Sequence, residues 1–421
     1  MIGAPEKSLG ASPLTGHTRF CPLRAGPSSD QHTSWTTEDM HQWEECQLVA
    51  RLQDLIHRAP NTLTLVDQNE HASKRRILSQ GLSASAILRF EETIVRHFET
   101  FCAQLSPGET ASKWSAPRDM SDWCNSCRPN FPGESQTDRD RQPLNLRSHV
   151  VGCFYLDYNA LTDPAHRKVT DGIEKFNVCI GVLTQAAELG ICRMDRKLFP
   201  ESIAAEKWFG QRVKMKATEG PPNVFSFLLK TKDPETGSSL SPDEIGAEST
   251  TLLVAGSDTS STAMASLFFY LAANPACYAR ACAEMRAEFS IADALRACAD
   301  EAMRISLPAG RALWHEVLPG RLQIDGHFIP ARYHVGVGIY ALHHSDKLYG
   351  QPFDFIHERW LRDESGEGGV ARARSAFNPR LALQEIMLMM AIIAEGQDVR
   401  LGAGGSPGDV FGRHRNTEFR L

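Results

Sequence analysis

The chain has 421 residues, 42% of them hydrophobic and 23% charged, with a formal net charge of −6. That length allows a sizeable core in one large domain or two smaller ones, and an acidic balance without a basic stripe interleaved with aromatics excludes nucleic acid as an expected partner. The opening stretch, MIGAPEKSLGASPLTGHTRF, holds neither a signal-peptide pattern nor a run of ~20 apolar residues.

Residues 1–40 are rich in Gly, Pro, Ser and Thr without periodicity and are expected to be a disordered N-terminal segment. A helix is predicted over 41–57 from Trp43, Cys46, Leu48, Leu52, Leu55 and Ile56, ended by Pro60-Asn61. In the next helical stretch His71 and Arg75 stand four apart on one face. They read either as two cationic groups that hold carboxylates of a ligand or as a solvated basic patch. An amphipathic helix is predicted over 86–105. The tract 128–148 is polar and contains proline, so it cannot continue a buried helix. Further helices are expected over 164–189, 201–216 and 223–230, with a turn at 232–237. Eleven cysteines, an odd number, argue for reduced thiols. The Cys124-x-x-Cys127 pair lacks two further ligands at zinc spacing and reads as packing or chance.

The stretch 241–274 is the centre of the chain. Ser241 suits an N-cap, Pro242 the first helical position, and Glu244 the far corner of a capping box. Apolar residues then run without proline to Asn274-Pro275. Inside this run lies Ala255-Gly256-Ser257-Asp258-Thr259. Glycine there costs about 1 kcal/mol relative to alanine, and a buried acid costs more unless it is partnered. Small residues let a flat group approach the backbone. Thr259 can turn its hydroxyl to the carbonyl four residues back, and an acid beside an alcohol can relay protons. The alternative is a core helix with a packing notch and a capped acid.

Beyond it, Glu301 and Arg304 are spaced to pair on one helix face. Short β-like pieces at 321–324 and 333–340 suggest a small antiparallel sheet, and a Met-rich apolar helix is predicted over 381–394. The fold class is therefore mainly α with a small antiparallel β part.

Taken together, these pieces resemble the cytochrome P450 family. Ala255-Gly256-Ser257-Asp258-Thr259 is similar to its oxygen-activation motif, and Glu301 with Arg304 to its E-x-x-R helix. Arg359, in Phe355-Ile356-His357-Glu358-Arg359-Trp360, would be the third member of that buried cluster, with His357 where proline is usual. His71 and Arg75 match positions that in many members reach the haem propionates. The wording of residues 173–360 is most similar to fungal P450s of secondary metabolism. The resemblance implies a single P450-like domain over 41–400, interrupted at 128–148, with 401–421 as a C-terminal tail. It also implies haem, an apolar small-molecule substrate, electrons from an NADPH-dependent reductase, and association with the endoplasmic reticulum. The chain as written shows no anchor and reads as cytoplasmic. In the implied site, Asp258 and Thr259 are catalytic, Ala255, Gly256, His71 and Arg75 hold the cofactor, and Glu301, Arg304 and Arg359 are structural.

One element of the pattern is missing, which makes the P450-like fold incomplete. The family's iron is held by a cysteine in a glycine-rich loop expected between Pro379 and Leu381, but the sequence passes through Arg380 alone and holds no cysteine after Cys298. His343, His344 and His357 are the nearest imidazoles and read as structural histidines. The segment between Phe289 and Leu295 looks shortened, and 128–148 stands where a buried helix belongs. Misplaced splice junctions or decay of the gene would both leave such seams. Two functions follow: a monooxygenase that oxidises an apolar fungal metabolite, or a haem-free, inactive P450-like protein that binds such a metabolite or a protein partner.

Overall fold

The computed structural model of the chain describes residues 43–45, 59–81, 227–287, 293–361, 386–401 and 417–420, apart from short gaps, with single positions and short pieces between 95 and 204. The expectations for residues 1–40, for the tract 128–148 and for the junction at 378–381 lie outside them. Two compact units divide the chain: Met1–Gln47 with Ala312–Val337, and Leu48–Arg311 with Gly338–Leu421.

In the first unit, β1 (Trp43–Glu45) pairs antiparallel with β2 (Ala312–Val317), Trp43 opposite Val317. β5 (His334–Gly338) completes a sheet of order β1-β2-β5. β3 (Leu322–Ile324) and β4 (His327–Ile329) form a separate hairpin, Leu322 opposite Ile329, across a two-residue connection that Asp-Gly suits. The helix expected over 41–57 is corrected at residues 43–45, which are strand. The edge of β2 offers them a hydrogen-bonding partner, and that pairing overrides a weak helical periodicity. The β-like piece at 333–340 is shorter than expected, ending at Gly338, where the chain turns into helix.

The second unit is helical: α1 (Gln68–Gly81), α2 (Asp195–Leu198), α3 (Pro242–Ala273), α4 (Pro275–Ala287), α5 (Asp293–Ile305) and α6 (Ile339–His343), followed by a 3-10 helix, His357–Trp360. Asp67 caps α1, its Oδ1 accepting from the N–H groups of Asn69 and Glu70, each at 2.9 Å. At the start of α3 the predicted capping box is complete, because Ser241 accepts from the Glu244 N–H while the Glu244 carboxylate accepts from the Ser241 N–H at 2.8 Å. Its 32 residues make α3 roughly 48 Å long. The last third is buried on every side, with Met264, Leu267, Phe268 and Leu271 in a core shared with Phe98, Phe101, Leu105, Leu295 and Ala302. Ile386, Met389, Met390 and Ile393 of the predicted Met-rich helix join the same core. β6 (Asp398–Leu401) pairs antiparallel with β7 (Thr417–Arg420), so residues 417–420, which the sequence places in a tail, form a strand.

Three polar ties hold the start of α3 against α1 and the segments around it. Lys74, buried, donates to the Pro60 carbonyl and lies 2.8 Å from Glu244. The buried Glu248 accepts from the backbone and hydroxyl of Thr62 at 2.6 and 2.8 Å. Arg76 grips Asp233 with two nitrogens, at 2.7 and 2.8 Å, and Ser73 and Thr236 donate to the same carboxylate. Asp233 is thus a joint between α1 and the turn preceding α3. Replacing Ser241 by alanine removes one side of the box and is expected to cost about 1 kcal/mol, measured by urea denaturation. The same substitution at the exposed Ser79 of α1 should be nearly neutral.

Candidate active site

The middle of α3 differs from its buried end. Ala255 is exposed and Gly256 and Thr259 are half-buried, whereas the helix from Ala263 to Ala272 is buried throughout. The Thr259 hydroxyl donates to the Ala255 carbonyl at 2.6 Å, the back-bond expected from the sequence. Among the described residues, a methyl group built on Gly256 would meet no atom within 4 Å, so their packing gives no reason for glycine at this position. Asp258 belongs to the same turn, and its side chain lies outside the described residues.

His71 and Arg75 share a face of α1. Arg75 is exposed, and His71 is half-buried and held below its ordinary value first by burial and then by the charge of Arg75. The neighbours Lys74 and Arg76, which the sequence did not single out, make the ion pairs of this helix. Arg75 enters no ion pair among the described residues.

Glu301, Arg304 and Arg359 come together. Glu301 and Arg304 lie on the same side of α5, one turn apart, and both are fully buried. Two parallel bonds of 2.8 Å join them. Each oxygen of Glu301 is further occupied: Oε1 accepts from the Ile356 N–H and the Arg359 Nε, both at 3.1 Å, and Oε2 from the Trp360 indole at 2.7 Å. Arg304 spends its remaining donors on the carbonyls of His343 and Pro352, each at 2.7 Å, and its guanidinium lies 5.0 Å from the Tyr349 ring. Burial alone would raise the Glu301 carboxyl. The bonds and charge of Arg304, with those from Trp360 and Ile356, hold it below the ordinary carboxylate value instead.

The sequence spacing identified Glu301 and Arg304, the family resemblance added Arg359, and the rest were missed. Carbonyls and a backbone N–H carry no residue signature, so Ile356, His343 and Pro352 are invisible until the chain is folded. Trp360 could have been found, since it adjoins Arg359 and a buried indole N–H needs an acceptor. The predicted structural roles of His343 and His357 are tested by their surroundings: burial holds the His343 imidazole low, and His357 is buried beside Cys277. Among the described residues no group of three or more His, Cys, Asp or Glu side chains is placed to hold a metal ion, and no helix is long and apolar enough to cross a membrane.

Removing the Glu301 carboxylate leaves a buried guanidinium without its counter-charge. Glu301→Ala is therefore expected to cost about 3–5 kcal/mol or to abolish folding, read from the urea midpoint. The carboxyl titrates lower folded than unfolded, so its contribution is complete above the ordinary value of 4.5 and drains away as pH falls below it. Glu301→Gln should flatten that acid limb of the stability curve while lowering stability at neutral pH.

The family model for cytochrome P450 matches residues 203–379. The cytochrome P450 monooxygenase AKT7 of Alternaria alternata is 36% identical over 410 residues, covering 87% of this chain and 75% of its own length. A cytochrome P450 monooxygenase of Gibberella zeae is 38% identical, with 83% of each chain covered. Among solved structures, the retinoic acid-bound cyanobacterial CYP120A1 superimposes with a TM-score of 0.67 at 16% identity, covering 91% of this chain and 85% of that one. Extended identity to fungal monooxygenases, joined to a shared fold and to the buried Glu301, Arg304 and Arg359 cluster, establishes that the chain belongs to the cytochrome P450 family.

Proposed function

We propose that the chain represents a monooxygenase of fungal secondary metabolism that inserts one oxygen atom from O2 into an apolar skeleton. The observation that carries this reading is the exposed turn of α3, where Gly256 faces open space and Thr259 back-bonds to Ala255. In this reading Ala255 and Gly256 let the flat face of haem approach the helix, His71 and Arg75 hold its carboxylates, and Asp258 and Thr259 move protons on the oxygen side. Electrons come from an NADPH-dependent reductase at the endoplasmic reticulum. The substrate is expected to be apolar, as the resemblance to fungal P450s of secondary metabolism implies.

The residues fit haem on one side only. The open turn of α3 suits a flat apolar group, but the donor set for a thiolate ligand does not fit. The family match stops at residue 379, one residue before Arg380-Leu381, and no cysteine follows Cys298. Burial pushes the thiols of Cys102, Cys277, Cys282 and Cys298 up, Cys102 to about 12. No step is therefore derived through the group. The second reading, which the missing cysteine motivates, is a haem-free, inactive P450-like protein that binds an apolar metabolite or a protein partner.

The two readings separate at the transcript. Sequencing it across the codons for Asn378 to Leu381 is expected to show an in-frame segment with a cysteine, which supports the monooxygenase. An uninterrupted junction would overturn that reading for this protein and leave the binding role. A second expectation concerns the helix alone. Because Gly256→Ala meets no protein atom, it should stabilise the isolated chain by up to about 1 kcal/mol in urea denaturation, and weaken uptake of haem in a titration.

A further inference from the structure

Cys277 stands in the first turn of α4, half-buried, with its Sγ 3.4 Å from Nδ1 of His357. The same Nδ1 lies 3.2 Å from the Glu358 carboxylate, which is largely exposed. The His357 side chain is only 5% exposed, and its other nitrogen, Nε2, is buried without a hydrogen-bond partner among the described residues. A histidine buried for structure engages both ring nitrogens where it can. Among the described residues this one engages through Nδ1 alone, with a thiol and a carboxylate. It also occupies the position where the family usually has proline.

We propose that Cys277 and His357 form a thiol–imidazole pair that makes Cys277 a site of modification by hydroperoxides, and that this modification loosens the Glu301 cluster. Burial first, and then the Glu358 charge, push the Cys277 thiol up, so the sulfur is protonated at rest and needs a base to react. In the tautomer that carries its hydrogen on Nε2, the imidazole offers Nδ1 as that base. The thiol proton passes to Nδ1, where the Glu358 carboxylate accepts a hydrogen bond from it. The sulfur attacks one peroxide oxygen, the O–O bond breaks as the S–O bond forms, and the proton leaves with the departing oxygen as water or an alcohol. Sulfur is oxidised by two electrons to the sulfenic acid and the peroxide is reduced by two.

The consequence follows from chain position. His357 opens the 3-10 helix His357–Trp360. Ile356 just before it, and Arg359 and Trp360 within it, all donate to Glu301. An oxygen added to Cys277 must fit beside a buried ring, and displacing that ring pulls on three of the donors to Glu301.

The test uses the full chain, dilute hydrogen peroxide, a sulfenic-acid trapping reagent and peptide mass spectrometry, with Cys298 as an internal reference. Cys298 is buried, and its thiol is also pushed up by burial. Trapping at Cys277 is expected to be roughly tenfold faster or more than at Cys298, and to fall to the Cys298 rate in His357→Pro and in His357→Asn, which keeps a polar group without a base. Peroxide should lower the thermal midpoint of the parent and leave that of Cys277→Ser unchanged. Equal rates at the two cysteines, or a Cys277 rate indifferent to both His357 substitutions, would overturn the proposal.

Discussion

The carboxylate of Glu301 is the constraint on which this part of the molecule depends. Taking an isolated carboxylate and guanidinium out of water costs several kcal/mol each, more than their attraction returns unless every remaining lone pair and N–H is also engaged. Here they are engaged, and the donors arrive from distant parts of the sequence. Arg304 comes from the same helix, Ile356, Arg359 and Trp360 from the segment around the 3-10 helix, and the Arg304 donors reach back to carbonyls at His343 and Pro352. The geometry therefore closes only when residues 343–360 take one path over α5. That path is a structural specification, since apolar replacements could match the burial without dictating where the backbone goes.

The long helix connects this cluster with the open site. Its buried end carries Tyr270, whose ring stacks on Phe355 with centroids 4.8 Å apart, and whose hydroxyl lies 3.1 Å from the Ser306 hydroxyl just past α5. Its middle carries the Gly256 and Thr259 turn, and its start is tied down through Lys74 and Thr62. A rigid rod fastened at both ends holds the turn in place. Gly256 thus lies in a half-buried stretch of a helix whose last third is buried.

Local chemistry made part of this legible before folding. The capping box, the proline at the first position and the Asn274 stop bound α3 correctly because each acts within a few residues. The pairing of Glu301 with Arg304 was readable for the same reason, being one turn of one helix. The strand at Trp43–Glu45 was not, since its hydrogen bonds go to β2 some 270 residues away, a separation that periodicity cannot register. Lys74 and Glu248 were overlooked for a similar reason: each looks like an ordinary charged helix residue until its partner from another segment is known. His357 was read only as a departure from a familiar proline, and its proximity to Cys277 needed the fold.

The proposed haem site joins the turn of α3, which this sequence forms, to a thiolate ligand, for which no cysteine follows Cys298. Both parts can be read from one spectrum of the expressed chain mixed with haem, reduced and exposed to carbon monoxide. The band characteristic of a thiolate-ligated iron should be absent, even where haem is retained. Its appearance would mean that one of the chain's own cysteines reaches the iron, and would contradict the account at its centre.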